Sequence, residues 1–267
     1  MPRRVKGDIP PFLIEGPEAS GFVNMILYGD TGEGKTHLLG TIVNVPEAMP
    51  SLLIDTDGGT ATIKDRDIDV TRPRSWKQIQ EVYDFLRHDN TKYRSCLIDG
   101  LTETQQVQSM GVLLNEVEDN GDQFRNLGST VVADRQDWLR SGNQMRKFIR
   151  AFKGLSYLPN SERRLHVVMT ARERVEEKRR VTTPQLPGQL GSECGAFVDI
   201  LARISSHDFE TEDDDGAKIG TETRRMLLFS AYTSDNGMRY LAKNRGGSLP
   251  RSMWDPTMKA VIAAWRD

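Results

Sequence analysis

The chain of 267 residues is poor in cysteine, holding only Cys96 and Cys194, far apart and outside any C-x-x-C pattern. This excludes a disulfide framework and argues against structural zinc. Such usage fits a reducing cytoplasm. Charge of one sign is also missing. Lys and Arg total 36 against 38 Asp and Glu, a net charge of −2, so no global basic field draws the chain to nucleic acid. Any such site must be a local patch. No apolar run approaches membrane-spanning length. The basic start Met1–Lys6 is not followed by an apolar stretch and does not read as a secretory signal. No internal repeat is visible. What remains is a globular composition, 37% hydrophobic and 28% charged, at a length suited to one α/β domain with elaborations. Residues 1–20 contain Pro2, Pro10, Pro11, Gly16 and Pro17 and read as an extended arm ahead of a single domain over 21–267.

The most specific feature is the run Gly29, Asp30, Thr31, Gly32, Glu33, Gly34, Lys35, Thr36, which fits G-x-x-x-x-G-K-[ST]. An apolar strand, Val23–Tyr28, enters it, and a helix, Thr36–Val43, leaves it. Glycines let several backbone N–H groups point inward at one phosphate. The pattern predicts nucleotide binding by these residues and His37. Lys35 would reach the β- and γ-phosphates, and the Thr36 hydroxyl would ligate Mg²⁺.

Further apolar strands are expected at Ser51–Thr56, Arg94–Asp99 and Arg164–Ala171. Helices are expected from Ser75 and from Thr102, each opened by a capping box. The second carries Val107, Met110, Leu114 and Val117 on one stripe. A long polar loop over 119–135 precedes a helix with Trp138, Met145, Phe148, Ile149 and Phe152 inward. Arg172 to Gly195 reads as a loop or mobile hairpin. Strands at Phe197–Ser205 and Met226–Tyr232 would be joined by an acidic hairpin, Asp208–Thr223. A last helix would start at Asp255 as N-cap and Pro256 at N1. The alternation predicts an α/β fold, with a mostly parallel central sheet flanked by helices and a C-terminal antiparallel extension. Ligands of such sheets sit at the carboxyl ends of the strands. The loop, Asp57, Asp99 and Thr170 all fall there.

Asp99 ends a hydrophobic strand, as an aspartate that holds Mg²⁺ opposite Thr36 would; the alternative is a strand-end cap. Asp57, expected on the strand beside the loop strand, is a candidate to orient the attacking water, or else a solvated turn acid. Thr170 is a candidate sensor of the γ-phosphate, or a simple strand-end hydroxyl. Arg172, Arg174, Lys178, Arg179 and Arg180 form a local basic run: a DNA-contacting loop or a solvated hairpin. No aromatics interleave with it, so base stacking is not indicated there. Arg146, Arg150 and Lys153 read as a solvated helix face. Lys243-Asn244-Arg245 reads as a basic surface turn.

Together these motifs resemble the RecA-like P-loop ATPases, and more narrowly the phage AAA-type nucleotide-binding proteins related to single-strand-annealing (Sak group) ATPases. The resemblance spans about Gly21 to Pro250. It rests on Gly29–Thr36, Ile54–Gly59, Ser75-Trp76, Cys96–Asp99, Val167–Ala171 and Lys243–Arg245. It implies a RecA-like core, ATP and Mg²⁺ as cofactors, hydrolysis, and single-stranded DNA as partner. It also implies a homo-oligomeric ring or filament with ATP at subunit interfaces, in recombination, annealing or repair, with a single-strand-binding or annealing protein as a further partner. The family's catalytic carboxylate is commonly a glutamate after the second strand, a place that the shorter Asp57 takes here. By the resemblance, Lys243 and Arg245 become trans-acting candidates toward a neighbour's ATP. Two other readings stand beside it: a P-loop small-molecule kinase, with Arg172–Arg180 as lid, and a non-hydrolysing ATP-dependent assembly switch. Localisation is expected to be cytoplasmic, that of the host if phage-encoded.

Overall fold

Strand β1, Asn24–Gly29, is buried along its whole length, because its side chains serve two cores. Ile26 and Tyr28 enter one apolar cluster, while Met25 and Leu27 enter a second. Successive strand residues point to opposite faces, so a strand buried on both sides lies inside a three-layer α/β/α arrangement. The computed structural model describes residues 21–106, 132–212 and 218–266. The arm over 1–20, the stripe through Val107, Met110, Leu114 and Val117, most of the polar loop, and Asp213, Asp214 and Asp215 lie outside the described residues.

Beyond β1 come α1 (Lys35–Gly40), β2 (Ser51–Asp55), β3 (Asp69–Thr71), α2 (Trp76–Asp84) and β4 (Ser95–Asp99). They are followed by α3 (Leu101–Glu103), α4 (Arg135–Gly154), β5 (His166–Glu176), β6 (Val181–Pro184) and α5 (Leu190–Glu193). The chain ends with β7 (Ile200–Glu212), β8 (Lys218–Leu228), β9 (Tyr232–Thr233), β10 (Arg239–Tyr240), β11 (Lys243–Asn244), β12 (Ser252–Trp254) and α6 (Met258–Arg266). The main path of the sheet runs β12-β8-β7-β1-β5-β4-β2-β3. The pairs from β7 to β3 are parallel, and β7–β8 and β8–β12 are antiparallel. This is the expected α/β class, with a mostly parallel sheet and a C-terminal antiparallel extension. Helices α2 and α4 cover one face, and α1 and α6 the other.

Several local expectations are corrected. β2 is not beside β1, since β5 and β4 intervene; two buried strands look alike in sequence, and lateral order is a tertiary choice. Thr102 caps no helix, because Gly100 takes that position and the Thr102 hydroxyl donates to Gln185 O at 3.0 Å. Trp138 is 46% exposed, whereas Met145, Phe148, Ile149 and Phe152 are buried as expected. Of Arg146, Arg150 and Lys153, expected on a solvated face, Arg150 is exposed but Arg146 and Lys153 are half-buried. Arg146 bonds Glu193, Arg150 lies over the Phe197 ring, and Lys153 approaches Asp199. Asp255 does not cap α6. Thr257 accepts from Ala260 N at 3.2 Å there, while the Asp255 carboxylate turns to Arg224 and Arg225. The acidic hairpin is present as expected, with β7 and β8 extending the two strands into it and pairing as far as Glu212 and Lys218.

Candidate functional site

Register brings the site together. Leu27 of β1 is level with Thr170 of β5, and Asp55 of β2 with Asp99 of β4. The carboxyl ends of β1, β2 and β4 and the middle of β5, which runs on past Thr170 instead of ending there, therefore face one cleft of about 550 Å³, within the range typical of small-ligand sites. Gly34, Lys35, Thr36, Asp57, Asp99 and Arg172 are among its walls, with Thr31, Gly32 and His37 at the loop.

The loop bends where only glycine is comfortable. Gly34 has φ 88° and ψ 24° immediately before α1, a left-handed conformation that a Cβ penalises. Lys35 Nζ folds back on the loop and donates to Gly29 O at 2.9 Å and Asp30 O at 2.7 Å. Burial lowers the Lys35 pKa, against the opposing fields of Asp99, Asp57 and Asp30.

Beneath the loop, Thr36 Oγ1 donates to Asp99 Oδ2 at 2.7 Å, and Thr170 Oγ1 donates to Asp99 Oδ1 at 2.6 Å. Thr170 also accepts from Gly100 N at 2.9 Å. Asp99 is 2% exposed. Burial raises its pKa, Asp57 and Asp55 push it further up, and the bonds from Thr170 and Thr36 oppose them. A buried carboxylate beside other acids gains from a cation.

Asp55 is a structural residue. It accepts from Gly58 N at 2.7 Å, Thr60 Oγ1 at 3.1 Å and Arg72 Nε at 3.2 Å, and so shapes the turn that presents Asp57. Arg172 departs from the basic run expected beyond β5. Its guanidinium donates to Asp57 at 2.8 Å and lies 3.6 Å from Glu103, inside the cleft. Arg174, Lys178, Arg179 and Arg180 are exposed on the β5–β6 hairpin, with Arg179 paired to Glu176 and Arg180 bonded to Asn236 O.

Lys243 and Arg245 lie elsewhere. Lys243 pairs with Leu201, and Ile200 is level with Met25 near the amino end of β1. Lys243 Nζ donates to Gly195 O at 2.6 Å and Val198 O at 3.0 Å. Arg245 pairs with the buried Asp199 at 2.9 Å.

Two residues of the site escaped sequence reading. Thr56 Oγ1 donates to the carbonyls of Asp99 and Gly100, both at 2.9 Å, tying the end of β2 to that of β4. Arg225 of β8 lines the cleft. No motif marks either; the turn after β2 hinted at Thr56, and nothing local hinted at Arg225.

A glycine loop entering a helix, a Thr–Asp–Thr chain beneath it and a lysine at its rim define a nucleotide-binding P-loop protein of ATPase type. A family model described as an AAA domain matches residues 22–245, and the chain belongs to that family. Among solved structures it is similar to one titled "Crystal structure of the RadB recombinase", with 12% identity and a TM-score of 0.40, covering 84% of this chain and 92% of that one. No curated protein matches it. Among the described residues, no helix is long and apolar enough to cross a membrane.

Proposed function

We propose that the chain is a RecA-like ATPase that binds ATP with Mg²⁺, hydrolyses it, and acts on single-stranded DNA in recombination or annealing. The observation that carries this reading is the Thr36–Asp99–Thr170 hydrogen-bond chain beneath the glycine loop. The donors fit the ion. A threonine hydroxyl and a carboxylate are hard oxygen ligands, and among the described residues no cluster of three or more His, Cys, Asp or Glu forms a protein cage. That suits Mg²⁺, which keeps waters and phosphate oxygens in its shell. When bound, it supplies charge neutralisation at the phosphates, and Thr36 and Asp99 would hold it. Lys35 exchanges its loop carbonyls for phosphate oxygens. Asp57 orients the attacking water and takes up its proton, once Arg172 releases it.

The DNA part of the reading is supported by continuity along one strand. β5 carries Thr170 and Arg172 in the cleft and runs on into the hairpin with exposed Arg174, Lys178 and Arg179. A backbone gripped there could reset the residues around Asp57. For Lys243 and Arg245 to act on a neighbour's ATP in a ring or filament, both would have to give up their present partners.

Titration of Mg-ATP into the wild type and Lys35→Ala tests the reading. Saturable uptake by the wild type, lost in the variant, is expected, with turnover stimulated by single-stranded DNA. Equal uptake by both proteins would overturn it.

A further inference from the structure

We infer that Arg225 is a phosphate-binding residue of the cleft, delivered in cis by the antiparallel extension. The inference rests on the nucleotide reading above and extends it to a strand outside the P-loop motif. Arg225 sits on β8 opposite Ser206 of β7. Successive strand residues face opposite ways, so Arg224 and Arg225 diverge. Arg224 lies 5.9 Å from the Phe209 ring and 5.6 Å from the Trp254 ring. Arg225 lines the cleft with Gly34, Lys35 and Thr36.

Three observations point to a ligand. The Arg225 side chain packs directly on the loop: a Cβ built on Gly34 would lie 2.4 Å from its Nε, 3.0 Å from its Cδ and 3.1 Å from its Cζ. Its Nε is buried and has no hydrogen-bond partner among the described residues. Asp255, the acid bonded to this residue's backbone, is already engaged, since its Oδ2 accepts from Arg224 Nε at 2.7 Å and its Oδ1 accepts from the Arg225 backbone N–H at 3.1 Å. Asp255 N in turn donates to Arg225 O at 2.7 Å, so the backbone at this position is pinned from both sides.

A buried donor on a permanent cation is costly when unpaired. Beside a phosphate loop, that cost is removed by the anion the loop receives. The planar guanidinium matches phosphate oxygens two at a time, which a lysine at the same place would not do. Lys35 approaches the phosphates from the loop itself, and Arg225 approaches from β8. The β7–β8 extension thereby becomes part of the nucleotide site, and a second phosphate-binding cation is present without any residue from a neighbouring copy.

The test is calorimetric titration of Mg-ATP and of inorganic tripolyphosphate into the full chain, as wild type, Arg225→Ala, Arg225→Lys and Lys35→Ala. Arg225→Ala is expected to weaken both ligands by a similar factor, about ten- to a hundredfold, and Arg225→Lys to recover part of it. If Arg225→Ala does not fold by thermal unfolding, Arg225→Gln is measured instead under the same criteria. Wild-type affinity for both ligands in the substituted protein overturns the assignment, while loss in Lys35→Ala in the same series leaves the nucleotide reading standing. Loss of ATP with tripolyphosphate unchanged also overturns it, because Arg225 would then serve the base or sugar. A wild type that takes up neither ligand overturns the nucleotide reading and this assignment together.

Discussion

Asp57 and Arg172, 115 residues apart in the chain, meet at 2.8 Å in the cleft. Asp57 reaches it from the turn after β2, and Arg172 from β5 across the intervening β4. The acid proposed to orient the attacking water is thus held by a guanidinium from the strand that leads to the basic hairpin. If Asp57 is the base, Asp57→Asn should lower kcat about a hundredfold or more. Affinity for Mg-ATP should stay within about threefold. Single-turnover kinetics beside equilibrium titration separates the two, and an unchanged kcat would assign the role elsewhere.

Gly59 sets how closely β2's turn approaches the proposed metal ligands. A Cβ there would lie 3.2 Å from both Asp99 Oδ2 and Thr36 Oγ1, and its φ is not of the kind that demands glycine. Gly59→Ala should therefore fold with little change in Tm while losing most of the gain in ATP affinity that Mg²⁺ confers. Titrations with Mg²⁺ and with EDTA provide the check.

The β5–β6 hairpin should carry salt-sensitive DNA binding. Lys178→Glu with Arg179→Glu is expected to abolish stimulation by single-stranded DNA and to flatten the dependence of DNA affinity on salt. Basal ATP binding should be unaffected, since neither residue lines the cleft. Fluorescence anisotropy at several salt concentrations reads the slope directly.

His166 predicts an acid weakness unconnected with the site. Its Nδ1 accepts from Val23 N at 3.0 Å, and the ring is fully buried. Burial, with the nearby Arg266 charge, lowers its pKa to about 4. Between pH 6.5 and 4 the unfolded chain binds a proton that the folded chain refuses, so stability falls as pH falls through this window. The full shift corresponds to about 3 kcal/mol. His166→Asn keeps an acceptor for Val23 and should flatten the profile in denaturant titrations at pH 7 and pH 5.

Some of this protein was determined by local chemistry. The glycine loop, its entering strand and its leaving helix follow from residues within one short run, because backbone conformation and side-chain period are local properties. Asp99 and Thr170 stood out for the same reason: each lies at the end of a short, continuous apolar run of the kind a strand buried on both faces requires. Lateral order was beyond that reach. Nothing in β2 says that β4 and β5 separate it from β1, so Asp57 came to face Arg172 and not the neighbour expected from chain order. The basic run after β5 was visible, but not that its first member turns into the cleft and the rest away. Arg225 lies about 190 residues beyond the loop it packs on, as its numbering shows. Only the pairing of β7 with β1 on one edge and β8 on the other brings it there, because sheet formation joins strands by burial and hydrogen bonding with no regard to their distance along the chain.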